Sequence, residues 1–127
     1  MVGEPPVGRF GHSLTRVGSA LWVFGGRMLN PSYGAITTNE LYCLRGTEGG
    51  TSGGGDGSRS GSSSPPSLRW EAVRVSPAWM KPSPRAFHSA VAVGPRLIIM
   101  GGEVGDAHHV QPVRVVICRR VVALLLI

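Results

Sequence analysis

Two short apolar runs, Ser13 to Val17 and Ala20 to Phe24, are separated by the turn residues Gly18-Ser19. A second pair of such runs extends from Ser89 to Val93 and from Leu97 to Met100. Runs of about five residues bounded by turn residues have the length of β-strands and are too short for helices. The pattern therefore predicts two β-hairpins.

Both hairpins belong to a unit that occurs twice. The segment from Arg9 to Gly26 recurs from Arg85 to Gly102 at a constant offset of 76 positions, without a gap. Five landmarks keep this register: Arg9 with Arg85, His12 with His88, Ser13 with Ser89, Gly18 with Gly94, and Gly25-Gly26 with Gly101-Gly102. Such self-similarity is the sequence signature of a repeat architecture.

The second run of each hairpin is continuously apolar and ends in two glycines. Leu21 to Phe24 and Leu97 to Met100 are expected to be strands covered on both faces. A pair of glycines directly after such a strand predicts a positive φ or an approach of another segment too close for a Cβ.

Two further strands are predicted between the copies. Glu40 to Leu44 reads as a third strand, with Leu41 and Cys43 on one face by its period of two. Trp70 to Val75 reads as a fourth strand. The segment Arg27 to Thr38 contains proline and glycine and is expected to be an irregular surface loop.

Residues Gly46 to Ser67 are almost wholly Gly, Ser and Thr. Such a segment cannot bury enough apolar surface to offset its chain entropy, so it is predicted to be a disordered insertion. Its run Gly53 to Gly57 lacks the Gly-Lys-Ser/Thr ending of a phosphate-binding loop.

This combination of motifs resembles the kelch repeat. The family pattern places an aromatic residue on the third strand and a tryptophan at the start of the fourth, a few residues later. Tyr42 and Trp70 are 28 positions apart, and the separation falls to 6 without the 22-residue insertion. The repeat offset likewise falls to 54, near the period of about 50 residues of kelch repeats. The matching residues are Arg9, His12, Ser13, Gly25, Gly26, Tyr42 and Trp70 in the first copy, and Arg85, His88, Ser89, Gly101 and Gly102 in the second.

The resemblance implies an all-β fold of antiparallel kelch-type propeller blades. About one complete and one partial blade are expected, not a closed ring, because propellers have about 4 to 8 blades. The chain is therefore expected to be a fragment of a longer kelch protein or a piece that associates with further blades. The predicted divisions are residues 1–45 (strands 1 to 3 of the first blade), 46–67 (insertion), 68–83 (fourth strand and crossover), 84–117 (partial second blade) and 118–127 (apolar tail of uncertain fold).

Composition excludes several classes of function. The net charge of +6 comes from cations that are scattered singly, apart from the adjacent Arg119-Arg120, which argues against nucleic-acid binding. Cys43 and Cys118 have no zinc-like spacing. The apolar tail is too short for a membrane span, and no secretory signal is visible, so a cytoplasmic or nuclear location is expected.

No catalytic or cofactor site is predicted. His12 and His88 recur in both copies, whereas a catalytic residue is needed once per site, so they are interpreted as structural groups. No acid/base pair shows active-site spacing. The adjacent His108-His109 would point to opposite sides of an extended chain, which disfavours a shared metal.

The resemblance implies a non-catalytic protein–protein interaction module that works as a scaffold or adaptor. In the family, rim loops carry the binding residues, which makes Arg27, Asn30 and Tyr33 the best contact candidates; the alternative is that they are ordinary solvated loop residues. A second hypothesis is that these blades belong to an enzyme or specifier protein whose active residues lie outside this chain.

Overall fold

The computed structural model describes residues 2–47 and 67–104, together with the backbone of two strands beyond them, Arg114–Ile117 and Leu124–Leu125. In this part of the chain the regular structure is β, apart from one 3-10 turn at Ala78–Met80. The strands are β1 Arg9–Phe10, β2 Ser13–Val17, β3 Ala20–Phe24, β4 Arg27–Asn30, β5 Gly34–Thr37, β6 Leu41–Thr47, β7 Ser67–Ala72, β8 Ser89–Val93, β9 Arg96–Met100, β10 Arg114–Ile117 and β11 Leu124–Leu125.

The first module is a four-stranded antiparallel sheet in the order β2-β3-β6-β7. Its first hairpin pairs Ser13 with Phe24 and Val17 with Ala20, across the turn at Gly18 that the sequence predicts. Each strand lies beside its neighbour in sequence, interrupted only by β4 and β5. The two predicted strands of the first copy are confirmed at their predicted bounds.

The second module is a four-stranded antiparallel sheet in the order β11-β10-β9-β8. Ser89 pairs with Met100 and Val93 with Arg96, which is the pairing of the first hairpin displaced by the repeat offset. The two copies therefore fold with the same register. In the described part of the chain the sheets are antiparallel and do not close into a ring.

The segment Arg27 to Thr38 forms a hairpin, and the expectation of an irregular loop is wrong. β4 pairs with β5, and β1 adds to the outer side of β4, which gives a three-stranded sheet in the order β1-β4-β5. The turn-forming residues occupy only the tip between Asn30 and Gly34, where Gly34 has a φ of +75°. The residues on both sides of that tip remain free to pair.

The third and fourth strands pair further toward the predicted insertion than expected. Gly46 pairs with Leu68 and Thr47 with Ser67, so the edges of the predicted insertion belong to the sheet. The fourth strand is Ser67–Ala72 instead of Trp70 to Val75, because the ladder with β6 continues to its end. Residues 48–66 lie outside the described residues, as do most of 105–127.

One hydrophobic core is shared by the two modules. Phe24 and Cys43 of the first sheet and Leu97 and Ile99 of the second are almost fully buried in one cluster. The alternation along β6 is confirmed, since Leu41 and Cys43 are buried whereas Tyr42 and Leu44 are only partly covered. β2 is the strand of the first module that packs closest to β8.

The apolar second strand is covered on both faces in the first module but not in the second. Trp22, Val23 and Phe24 alternate between the faces of the sheet and are all buried, although Leu21 is 36% exposed. In the second module Leu97 and Ile99 are buried, but Met100 is 37% exposed, because among the described residues that sheet packs on another sheet through one face only. No helix in the described residues is long and apolar enough to cross a membrane.

Candidate functional site

The repeat arginines make the same contacts in both modules. The buried Arg85 donates from Nη1 to the Gly101 carbonyl at 2.8 Å and from Nε to the Ser83 carbonyl at 3.2 Å. Arg9 donates from Nη1 to the Gly25 carbonyl at 3.2 Å. Each arginine thus fastens the first glycine of its pair to the chain that enters the module. These contacts are those of a structural residue.

The arginine of the first module also contacts a charged side chain and an aromatic ring. Arg9 Nη2 donates to Glu40 Oε2 at 2.8 Å, with the arginine side chain only 3% exposed. Its guanidinium lies over the ring of Tyr42, 5.3 Å from the centroid. Trp70 lies on the neighbouring strand, opposite Leu44. Both aromatic residues of the repeat motif therefore lie in the sheet, and Tyr42 also contacts the arginine.

The paired glycines follow their strands with positive φ, as the sequence predicts. A Cβ on Gly26 would lie 2.9 Å from the His12 Cβ, and a Cβ on Gly102 would lie 2.8 Å from the His88 Cβ. Positive φ and the close approach of another segment therefore act together at the second glycine, and each of them disfavours a side chain there. The φ values are +65° at Gly25, +96° at Gly26, +66° at Gly101 and +91° at Gly102.

The second-copy histidine links the two modules. His88 Nε2 lies 2.8 Å from the Ser13 hydroxyl, and the ring packs edge-on against Phe24 with centroids 5.3 Å apart. Within the described residues its buried Nδ1 has no hydrogen-bond partner. Burial, and then the nearby Arg85 and His12, lower the pKa of His88 to about 4. The imidazole is therefore neutral at pH 7 and works as a packing and hydrogen-bonding group.

An exposed cluster, here called the aromatic patch, is formed by Phe10, Arg27, Leu29 and Phe87. Phe10 is opposite Arg27 in the β1-β4 ladder, and Leu29 is two positions further, so the three share one face of the small sheet. The Phe87 ring joins them from the second module, 6.2 Å from the Phe10 ring and 5.4 Å from the Arg27 guanidinium.

The aromatic patch is open to solvent. Phe10 is 42% exposed, Phe87 is 55% exposed and Leu29 is 77% exposed. Arg27 also forms an ion pair of 3.0 Å with Glu103, which balances its charge. Exposed aromatic rings beside an arginine have the composition of the energetic centre of protein interfaces.

Phe87 has a strained backbone. Its φ is +56°, and among the described residues it is the one non-glycine with a positive φ. The left-handed region costs an L-residue with a bulky side chain about 1–2 kcal/mol. The equivalent residue of the first copy is Gly11, with a φ of +65°, so the repeat geometry itself is satisfied by glycine. The second module holds an exposed aromatic ring where the fold favours glycine.

The predicted contact residues lie in the same hairpin but have different surroundings. Arg27 is part of the aromatic patch. Asn30 Oδ1 accepts hydrogen bonds from the backbone N–H groups of Ser32 and Tyr33, at 2.8 and 3.1 Å, and so fixes the turn. Tyr33 is 82% exposed at the tip. Their role in binding a partner stays a prediction.

Sequence reasoning missed Phe10, Leu29 and Phe87 as candidate contacts. One signal was present: the aligned copies place Phe87 where the first copy has Gly11, although the flanking histidine and serine are retained. The ring contact between Phe10 and Phe87 depends on how the modules pack, and no local pattern encodes that arrangement.

A concave region separate from the aromatic patch lies where the hairpin turns of the two modules face each other. It is a cavity of about 550 Å³, lined by Gly18 and Ser19 of one turn and by Gly94 and Pro95 of the other. The ring of Trp22 also lines it, and the Arg45 guanidinium lies 5.8 Å from that ring.

Residues 2–47 and 67–104 contain no group of three or more His, Cys, Asp or Glu side chains that could hold a metal ion. His108-His109 lie outside the described residues.

No family model and no curated protein matches the chain.

Proposed function

We propose that this chain is a non-catalytic protein-interaction module of the kelch-propeller type, and that the aromatic patch is the surface that binds its partner. Support for the propeller type comes from two repeats with the same strand register and equivalent arginine and glycine contacts. Each first strand, β2 or β8, lies at one edge of its sheet, where the two modules meet.

The observation that carries the binding proposal is the conformation of Phe87. An exposed aromatic residue at positive φ lowers the stability of the fold and gains little from burial, because more than half of the residue is in solvent. Strain of this kind persists mainly at functional sites. Binding of a partner would bury the ring and recover the hydrophobic free energy that the isolated chain lacks.

The chemistry of the aromatic patch defines the kind of partner. Its two rings and Leu29 present an apolar surface, and the Arg27 guanidinium is already engaged by Phe87 and Glu103. The surface therefore suits a protein segment that inserts an apolar side chain, with polar contacts at the rim. Tyr33 lies on the tip of the same hairpin and is exposed enough to contribute to such a rim.

Phe87→Gly tests this proposal. Glycine adopts the required φ without strain, and this relief offsets the greater entropy that glycine gives the unfolded chain, so we expect the variant to be about as stable as the wild type. Loss of the ring is expected to weaken partner binding at least tenfold, which corresponds to about 1.4 kcal/mol. The partner is first identified by affinity capture with the wild-type chain, and its binding to purified variants is then measured by calorimetry.

Leu68→Ala is the matched control, because Leu68 is an exposed apolar residue of β7 outside the aromatic patch. It should bind the partner as the wild type does. Wild-type affinity in the Phe87→Gly variant would refute the aromatic patch as the binding surface.

A further inference from the structure

The contact between the two modules joins two different surfaces of the same repeat. The first module contributes the side of β2 that carries Ser13, Thr15 and Val17, here called the serine face. The second contributes the side of β8 that begins at His88 and continues through Ala90 and Ala92, here called the histidine face. Ala90 and Ala92 pack against the shared core, and His88 bonds to Ser13 across the junction.

Backbone contacts fix the same junction. The Gly26 N–H donates to the Arg85 carbonyl at 2.9 Å, and the Phe87 N–H donates to the Gly11 carbonyl at 2.8 Å. The Arg27–Glu103 ion pair joins residues that are equivalent in the two copies, since they are 76 positions apart. The junction is therefore head-to-tail, because the serine face of one repeat meets the histidine face of the next.

Each module also has the opposite face, and the first strand of each module exposes its residues there. In the first module the neighbouring Val23 of β3, which pairs with Leu14, is already buried. The second module has its own serine face, in which Ser89 is exposed, Val91 is 43% exposed and Val93 is 52% exposed. The first module has its own histidine face, with an exposed His12 and with Leu14 59% exposed. These apolar residues lie in solvent at the positions that are covered at the junction within the chain.

The polar groups of the junction are present at equivalent positions, whereas Ala90 and Ala92 correspond to the larger Leu14 and Arg16. Ser89 corresponds to Ser13, and His12 corresponds to His88. Within the described residues the Gly102 N–H, which corresponds to that of Gly26, has no backbone partner. An ion pair can also form at the second junction, because Glu103 of one chain would meet Arg27 of the next. The acidic residue then comes from the second module and the arginine from the first module of the other chain.

We propose that the serine face of the second module binds the histidine face of the first module in a second copy of this chain, so that chains assemble head-to-tail. The two open faces are the repeat equivalents of the two sides of the junction inside the chain, and this equivalence specifies a second copy as the occupant. A head-to-tail contact between identical chains closes into a ring when its rotation allows closure, and otherwise continues as a filament. This inference does not depend on what the aromatic patch binds.

The test uses two variants of the full chain, each with one face blocked. Ser89→Trp places a large ring on the serine face of the second module, and His12→Trp does so on the histidine face of the first. Ser32→Trp is the matched control, because it puts the same ring on the exposed tip of the β4-β5 hairpin. Sedimentation velocity over a hundredfold concentration range gives the mass of the species, and circular dichroism and thermal melting check the fold.

We expect the wild type and Ser32→Trp to form species of two or more chains as concentration rises. Ser89→Trp alone and His12→Trp alone should remain single chains. An equimolar mixture of the two should give a species of two chains and nothing larger, because only one open pair of complementary faces remains. That result separates a head-to-tail contact from a symmetric one.

Three results would overturn the proposal: a wild-type chain that stays monomeric, a blocked variant that assembles like the wild type, or a mixture that forms no two-chain species. Assembly of both blocked variants would point to a contact made elsewhere, such as the apolar residues at the C-terminal end. If His12→Trp does not fold, Ser89→Trp alone still decides whether the serine face is needed.

Discussion

His88 and His12 are the same residue of the repeat in two environments. His88 is 9% exposed and bonds to Ser13, whereas His12 is exposed. A bond in which Nε2–H donates to the Ser13 hydroxyl leaves Nδ1 as a bare acceptor, which is less costly to bury than a charged ring. Protonation of His88 would place a second charge beside the buried Arg85. The module junction therefore favours the neutral imidazole.

The first prediction concerns the dependence of stability on pH. The pKa of His88 is about 4 in the folded chain and about 6.5 in the unfolded chain, so between these values the unfolded state binds more protons. The free energy of unfolding should therefore fall as the pH is lowered from about 6.5 to about 4, by up to about 3 kcal/mol, and this contribution should level off below that. Urea unfolding at a series of pH values measures it.

His88→Gln is the control, because its amide does not titrate and can still bond to Ser13. This variant should lose most of the slope between pH 4 and 6.5 while keeping the contribution of the carboxyl groups. An identical slope in the variant and the wild type would show that His88 is not the titrating group.

At the scale of elements, the glycine pairs show how the repeat controls where a strand ends. After β3 and β9 the chain turns through two residues of positive φ, and the second glycine lies against the strand-entry segment of its own copy. Gly18 also has a positive φ, but nothing lies within 4 Å of the position that its Cβ would occupy. Gly18 and the second glycine of each pair therefore share a positive φ, but only the second glycine of the pair lacks room for a side chain.

The second prediction separates these two effects. Gly18→Ala should cost about 1 kcal/mol, because only the left-handed conformation disfavours alanine there. Gly26→Ala should cost at least about 3 kcal/mol, because its Cβ would also lie 2.9 Å from the Phe10 carbonyl oxygen and the His12 Cβ. Urea unfolding of both variants measures the difference. Equal costs would mean that the approach of the strand-entry segment imposes no constraint.

The elements that the sequence predicts well are those with local signals. Both copies of the first hairpin combine an apolar run, a glycine turn and a closing pair of glycines, and the structure reproduces them at or within one residue of the expected bounds. The β4-β5 hairpin was missed because Pro31 and Gly34 interrupt the pattern of the segment, although these residues occupy only the tip of the hairpin. Leu29 is 77% exposed and Ile36 is 38% exposed, so the segment lacks the pattern of a half-buried strand.

The candidate site was predictable only in part, because some of its contacts join residues that are far apart in the sequence. Arg27 and Tyr33 could be selected because they lie in a segment between strands. Phe10 and Phe87 are 77 positions apart in sequence, and their contact exists because the second module packs on the first. A sequence pattern records which residues a strand buries. It does not record which exposed residues of two strands become neighbours.

At the scale of the whole molecule, the two modules share their stability. Leu97 and Ile99 belong to the same buried cluster as Trp22 and Phe24, and the junction adds the His88–Ser13 bond. Neither sheet buries its apolar face alone, which is the usual relation between neighbouring repeats. The paired strands β6 and β7 are joined by 19 residues, 48–66, which is far more than a hairpin turn requires.

The last prediction is that residues 48–66 can be replaced by Asn-Gly. Thr47 and Ser67 form the final pair of the β6-β7 ladder, so a two-residue turn is long enough to connect them. Loop-closure entropy then predicts that shortening the connection from 19 residues to two raises the free energy of unfolding by about 2 kcal/mol. Urea unfolding compares this chain with the wild type and with a control in which 48–66 become a Gly-Ser repeat of equal length. The control should match the wild type, because a spacer contributes length only; if both replacements destabilise the chain, residues 48–66 make contacts that the fold requires, and their interpretation as an insertion is wrong.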